Sequence, residues 1–167
     1  GQSLGSGHSE GVALGDLDND GRDEIITGSG PGAAFGPHVR AFYYDRNLHW
    51  VIPVSGVNFL AYRFRCWGVN VSGGDIDGDG IDELLGRGDA GMEVHRFDND
   101  TKSWYRVADA GPFSNDDGWG DPAHYATIHS ADIDGDGIDE LLGRGVLGME
   151  VHRFDKNTKS WYPVADR

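Results

Sequence analysis

Three segments of this sequence carry carboxylates at a spacing that suits a hard metal ion. They read DLDNDGRDE from Asp16, DIDGDGIDE from Asp75 and DIDGDGIDE from Asp132, so that positions 1, 3, 5 and 9 of each are acidic and position 6 is glycine. Calcium takes about six to eight oxygen ligands from carboxylates, backbone carbonyls and water. Glycine at position 6 permits the tight turn that brings those oxygens together. The spacing therefore predicts three calcium sites, one in each loop.

Each predicted site combines four carboxylates with the backbone carbonyl of position 7. The first set is Asp16, Asp18, Asp20, Glu24 and the carbonyl of Arg22; the second is Asp75, Asp77, Asp79, Glu83 and the carbonyl of Ile81; the third is Asp132, Asp134, Asp136, Glu140 and the carbonyl of Ile138. A solvated Asp/Gly turn is the simpler interpretation. Three copies in one register argue against it, because carboxylates so close together repel one another without a cation. The aspartate at position 8 (Asp23, Asp82, Asp139) is left open as a ligand, a supporting acceptor or an exposed side chain.

The EF-hand is the competing interpretation of these loops, and the residues that follow them exclude it. An EF-hand needs a bidentate glutamate at position 12 and a helix on each side. Position 12 is Thr27, Gly86 and Gly143 here, and none of these side chains can chelate. Each loop continues into a short apolar run that ends at glycine, which predicts a strand.

Composition limits the class of protein and its partners. The chain has 167 residues and a formal net charge of -14, with 28 acidic and 14 basic residues. About half of the carboxylates lie in the three loops, so the acidity belongs to the predicted metal sites. Nucleic acid is not an expected partner, because no basic cluster is present. No membrane-spanning run is predicted, and Cys66 has no second cysteine with which to pair.

The loops mark an internal repeat. Asp16, Asp75 and Asp132 stand 59 and 57 residues apart, and segments 75–109 and 132–166 differ at only five positions. Each unit predicts four short strands: 12–14, 24–27, 39–44 and 49–53 in the first; 67–73, 83–86, 92–97 and 103–107 in the second; 126–130, 140–143, 149–154 and 160–164 in the third. No helical periodicity is present, and 27 glycines disfavour helices. The pattern predicts an all-β fold of three four-stranded antiparallel blades, as in a propeller.

The predicted organisation divides the chain into three repeats with two linking segments. Repeat 1 occupies residues 1–54, a connection 55–66, repeat 2 residues 67–109, an acidic loop 110–123, and repeat 3 residues 124–167.

The segments GDLDNDGRDEIITGSGPGAAFGPHV and GDIDGDGIDELLGRG resemble FG-GAP or VCBS repeats, the blades of integrin-alpha-like calcium-binding β-propellers. Phe35-Gly36 and the run Gly30-Pro31-Gly32 resemble the FG and GAP elements. This resemblance implies calcium held between the first two strands of each blade, in a structural role. The segment GWGDPAHYATIHSADIDGDGIDE is also similar to repeats of fungal seven-bladed lectins, which implies sugar pockets between blades without assigning them to residues here.

Three blades leave apolar surface uncovered at both ends, which predicts either a longer protein or self-association. A head-to-tail contact between copies closes into a ring when the rotation allows it and otherwise grows into a filament. The near-identity of the second and third units favours such a contact.

Other side chains that could take part in catalysis occur at equivalent positions of two repeats, which favours a structural role for them. His95 and His152 stand beside Glu93 and Glu150 in two copies of MEVHRFD. The four repeated arginines, Arg87, Arg96, Arg144 and Arg153, are expected to bridge blades or pair with loop carboxylates. Trp104-Tyr105 and Trp161-Tyr162 are expected to pack between sheets. No motif for nucleophilic or phosphate chemistry is present, and the chain is predicted not to be an enzyme.

Trp119 is the strongest non-repeated candidate for recognition. It lies in the acidic segment 114–125, where an exposed indole could stack on a sugar while Asp116, Asp117 and Asp121 accept its hydroxyls. The alternative is an indole that packs between blades. His38 and Trp50 are similarly ambiguous.

The sequence therefore predicts an extracellular or cell-surface calcium-binding repeat protein with a structural, assembly or adhesion role. Weak multi-carboxylate sites fill where calcium is abundant, and Asn70 and Asn99 begin N-glycosylation sequons. The alternatives are a carbohydrate-binding module and an accessory segment of a larger secreted enzyme.

Overall fold

A computed structural model describes residues 11–30, 36–61, 68–108 and 111–166. Phe35, Cys66 and Trp67, together with parts of the predicted 55–66 connection and of the predicted 67–73 strand, lie outside these ranges.

The described chain forms three four-stranded antiparallel sheets, each in sequence order. The first blade holds β1 (Gly11–Gly15), β2 (Glu24–Gly28), β3 (His38–Asp45) and β4 (Trp50–Leu60). The second holds β5 (Asn70–Gly74), β6 (Glu83–Gly88), β7 (Gly91–Asp98) and β8 (Ser103–Ala108). The third holds β9 (His129–Ala131), β10 (Glu140–Gly145), β11 (Gly148–Asp155) and β12 (Ser160–Asp166). The prediction of an all-β fold of four-stranded blades is confirmed.

The acidic loop of each unit connects the first two strands of its blade. In the first blade Gly15 pairs with Glu24 across the loop, and in the second Gly74 pairs with Glu83. The last loop residue is therefore also the first residue of the next strand. Position 6 has positive φ in all three loops, at Gly21, Gly80 and Gly137, which is the backbone conformation that glycine adopts without strain.

The segment before the third blade contains two short helical turns that the sequence pattern did not predict. A short turn covers Asn115–Trp119 and is interrupted at Gly118, which has positive φ, and α1 covers Pro122–Tyr125. Asp121 caps α1 by accepting the amide N–H of Ala123, and proline suits the first helical position. The strand predicted at 126–130 is wrong at its start, because β9 begins at His129. No helix in the described ranges is long and apolar enough to cross a membrane.

Two apolar cores lie between neighbouring blades. Leu17, Ile26 and Val39 of the first blade pack in one cluster with Val71 and Leu84 of the second. The second cluster joins the second and third blades, and its members include Ile76, Leu85, Met92, Phe113, Trp119, Ile128 and Leu141. Neighbouring blades therefore bury the apolar faces that they turn toward each other, as in repeat proteins whose stability comes from neighbouring units.

Candidate metal centres and a cleft between blades

Each acidic loop brings three carboxylates to one point. The oxygens of Asp16, Asp18 and Glu24 lie within 4.8 Å of one another, as do those of Asp75, Asp77 and Glu83 in the second loop. In the third loop the group is Asp132, Asp134 and Asp136. Asp20, Asp79 and Glu140 are predicted ligands outside these groups. The carbonyls of Arg22, Ile81 and Ile138 remain predicted ligands.

The first aspartate of each loop also organises the turn. The Asp16 carboxylate accepts the amide N–H groups of Asp20 and Gly21 at 3.0 and 2.9 Å. The Asp132 carboxylate accepts the amide N–H groups of Gly135 and Gly137 at 2.7 and 2.9 Å. These backbone contacts hold the turn that carries the grouped carboxylates.

The glutamate at position 9 is buried in every blade, and its chemistry fits a cation. Glu83 is 1 % exposed, and neither of its carboxylate oxygens has a hydrogen-bond partner among the described residues. Burial, reinforced by Asp77, raises the pKa of Glu83 to about 8. Burial likewise raises the pKa of Glu24 to about 7, although Leu17 donates its amide N–H to that carboxylate. A buried carboxylate without a hydrogen-bond partner is costly. Arg96, 3.3 Å from Glu83, offsets part of that cost, and a divalent ion would supply a further partner.

Further unpartnered oxygens lie in the same loops. Asp18 Oδ1 and Asp77 Oδ1 are buried without a hydrogen-bond partner in the described structure. Burial, together with the neighbouring loop aspartates, raises the pKa of both groups. The donor set consists of carboxylate oxygens, the type that calcium prefers. The loops therefore fit the predicted ion.

An arginine approaches two of the three carboxylate groups. Arg96 lies 3.1 Å from Asp77 and 3.3 Å from Glu83, and it also contacts Asp79. Arg153 makes the same contacts with Asp134, Asp136 and Glu140. The expectation that these arginines pair with loop carboxylates is confirmed. In the first blade the corresponding position of β3 is Tyr43, as the strand registers show.

The aspartate at position 8, which sequence reasoning left open, links neighbouring blades. The Asp82 carboxylate accepts the amide N–H of Asp16 at 2.9 Å, and the Asp82 amide donates to the Asp16 carbonyl at 3.0 Å. One blade further on, the Asp139 amide donates to the Asp75 carbonyl at 2.8 Å. Only the regular repeat of the motif could have suggested this role, because the contact joins residues far apart in sequence.

Trp119 is buried, so the prediction of an exposed indole is wrong. It is 2 % exposed, and its ring centroid lies 4.3 Å from that of Phe113. A β-carbon at Gly143 would come within 2.8 Å of the Trp119 ring, so glycine leaves room for the indole there. Arg87 donates to the Trp119 carbonyl at 2.8 Å. Trp119 therefore packs between the second and third blades, as the alternative interpretation held. Arg87 connects the second blade to the segment that carries Trp119.

An open cleft of about 480 Å³ lies where the first blade meets the second. Its lining residues are Gly56, Phe59, His95, Lys102, Ser103, Trp104 and Arg106. The ring of Phe59 lies 5.8 Å from that of His95 and 5.9 Å from that of Trp104. The indole N–H of Trp104 is buried without an acceptor among the described residues. Sequence reasoning placed Trp104 between sheets but did not identify this cleft, which depends on strands from two blades.

The repeated histidines occupy equivalent, aromatic surroundings. His95 and His152 each lie 3.3 Å from the glutamate two residues earlier. The His152 ring contacts Phe113 edge-on at 5.1 Å, and the His95 ring lies tilted against Phe59 at 5.8 Å. Both histidines therefore sit at matching blade junctions.

Comparison with known proteins supports the fold and leaves the family undecided. No protein-family model matches the sequence, and no curated protein matches it. A solved structure described as the basis of specific recognition of non-reducing terminal N-acetylglucosamine by an Agrocybe aegerita lectin superposes with a TM-score of 0.55 at 20% identity. The match covers 92% of this chain and 38% of the lectin chain, so this chain spans well under half of that lectin's length. The likeness at this identity concerns the fold, and the FG-GAP or VCBS resemblance stays a prediction.

Proposed function

We propose that this chain is a carbohydrate-binding module whose blades are stabilised by calcium. The observation that carries the proposal is the cleft between the first and second blades, which combines two aromatic rings with several polar side chains. The fold similarity to a lectin supports the same class of function.

The lining of the cleft suits a sugar ring. A pyranose has an apolar face that packs on an aromatic ring and a rim of hydroxyls that need donors and acceptors. Trp104 and Phe59 supply aromatic surface, and Lys102 and Ser103 are polar residues of the lining. The volume lies within the range of about 300–1,000 Å³ that is usual for small-molecule sites.

Calcium has a structural role in this proposal. Each ion would bind the carboxylates of one loop, so that its binding energy adds to the free energy of folding. Asp16, Asp75 and Asp132 would hold the turn, and the buried glutamates would complete the site from the following strand. We propose an extracellular or cell-surface location, where calcium is abundant enough to fill such sites.

A matched pair of lysine variants tests the cleft. Lys102 lines the cleft, whereas Lys159 occupies the same hairpin position in the third blade, and both have positive φ. Asparagine tolerates that conformation, so Lys102→Asn and Lys159→Asn are equally mild for the fold. We expect a glycan array of the wild type to identify a ligand, and calorimetry to show weaker binding for Lys102→Asn only. Absence of glycan binding by the calcium-loaded protein, or equal loss in both variants, would contradict the assignment.

A further inference from the structure

The two end faces of the described structure carry apolar residues whose equivalents are buried at the internal blade junctions. Val12, Val71 and Ile128 each stand four residues before the first aspartate of a loop. Val71 and Ile128 are 7 % and 4 % exposed, whereas Val12 on the first blade is 63 % exposed. At the opposite end, Leu17 and Ile76 at position 2 of their loops are both 1 % exposed, but Ile133 of the third loop is 53 % exposed.

The internal junctions show that these two surfaces belong together. Leu17 and Val71 lie in the same core cluster, across the junction of the first and second blades. Ile76 and Ile128 lie together in the other cluster, across the junction of the second and third. Val12 and Ile133 occupy the same two positions, but they lie on the outer faces of the first and third blades and are exposed there.

Polar groups also make contacts at the internal junctions, and their equivalents at the two ends are exposed. At the two internal junctions, the first residue of the β-hairpin of one blade donates to the carbonyl at position 3 of the preceding loop. These contacts are Asn99 to Asp18 at 2.7 Å and Lys156 to Asp77 at 2.8 Å. The equivalent groups at the ends are the exposed Arg46 of the first blade and the exposed Asp134 of the third loop. The Arg46 guanidinium is a donor that can reach the Asp134 carbonyl in the way that Asn99 and Lys156 reach theirs.

The third loop is also less enclosed than the other two. Asp132, Asp134 and Asp136 are all exposed, whereas the first two aspartates of the other loops are half-buried. The blade that follows supplies the enclosure of the first and second loops, through Asp82 and Asp139 respectively. The residue equivalent to Asp82 and Asp139 in the first blade is Asp23, which is exposed.

We propose that the first blade of one copy of this chain docks on the third blade of a second copy and encloses the third acidic loop. Asp23 of one copy then contacts the backbone of Asp132 of the other, Arg46 contacts Asp134, and Val12 covers Ile133. Propellers close with about four to eight blades. Two copies of the three described blades make six, so a closed dimer would cover both described end faces of both copies. This inference stands independently of the proposed sugar cleft, which lies within one chain.

An engineered disulfide tests the docking geometry. Across the junction of the second and third blades, the hydroxyl oxygens of Ser72 and Ser130 lie 2.8 Å apart. Counted from the loops, the residues that would meet in the same way between copies are His129 and Leu14. Side chains in that arrangement are within reach of a disulfide. The double variant Leu14→Cys/His129→Cys, made in a Cys66→Ser background, should form a covalent dimer on mild oxidation in calcium. Each single variant in the same background is the control and should remain monomeric on a non-reducing gel.

Solution mass gives a second, independent readout. In millimolar calcium we expect light scattering to give twice the monomer mass of 18.1 kDa. Val12→Asn and Ile133→Asn should each reduce dimer formation at least tenfold, and an equimolar mixture should recover part of it, because one intact interface remains available. Tyr105→Asn, on an exposed residue of the middle blade, should dimerise like the wild type. A monomeric wild type, open-ended filaments, or a dimer that resists both end-face variants would overturn the proposal.

Discussion

Asp82 and Asp16 exchange two hydrogen bonds across the junction of the first and second blades. The Asp82 carboxylate accepts the Asp16 amide N–H at 2.9 Å, and the Asp82 amide donates to the Asp16 carbonyl at 3.0 Å. Asp16 also organises its own loop through its carboxylate. One pair of residues therefore connects the shape of a candidate metal site to the packing of the next blade.

Asp82→Ala should destabilise the protein by about 1–3 kcal/mol, because it leaves the Asp16 amide N–H without its acceptor. Asp82→Asn keeps an oxygen acceptor at the same place and is the matched control. Urea unfolding in calcium at constant ionic strength measures both. Equal stability of Asp82→Ala and wild type would show that the contact contributes nothing at this junction.

Removing calcium should lower the melting temperature of the wild type, and restoring it should reverse the change. The melting temperature of Glu83→Gln relative to the wild type should change sign when calcium is removed. Without the ion, the variant should melt above the wild type, because Arg96 at 3.3 Å does not offset the burial of Glu83 and its repulsion from Asp77, which raise the pKa of Glu83 to about 8. With calcium it should melt below the wild type, because one charged ligand is lost.

Glu93→Gln is the control for this reversal, since Glu93 lies on β7, outside the acidic loops. It should shift the two melting temperatures by equal amounts. A wild-type melting curve that does not respond to EDTA would contradict a structural role for the ion. A Glu83→Gln curve lower in both conditions would contradict the account of the buried carboxylate.

Arg96→Met should reduce stability more in EDTA than in calcium. In the ion-free protein, Arg96 is the positive charge nearest Asp77, Asp79 and Glu83, whereas a bound ion would neutralise the same carboxylates. The loss in EDTA should be below the about 3–5 kcal/mol typical of a broken buried pair, because Asp79 is exposed to water. Tyr43→Met at the equivalent position of the first blade is the control, and calorimetry should show no such dependence on calcium for it.

The parts of the structure that sequence reasoning predicted depend on local pattern. Glycine occupies the same position in each repeated loop, so Gly21, Gly80 and Gly137 could be placed in turns without knowledge of the fold. The parts that it missed depend on contacts between distant segments. The role of Asp82 requires the first loop to lie beside the second blade, and the cleft at Trp104 requires β4 to lie beside β8. The acidic neighbours of Trp119 indicated an exposed loop, and that interpretation is wrong. Its packing between blades, the alternative that the sequence left open, depends on glycines in β10.

The burial of Trp119 leads to a prediction that separates packing from recognition. Trp119→Ala should destabilise the protein by about 3–5 kcal/mol, as for other large core truncations, because the indole fills the space between Phe113 and Gly143. Trp50→Ala is the control, since Trp50 is 56 % exposed and its loss should cost less than about 0.5 kcal/mol. Urea unfolding at 25 °C in calcium gives both values. If Trp119→Ala kept wild-type stability and instead abolished glycan binding, the indole would have to serve as a sugar platform and its packing role would be refuted.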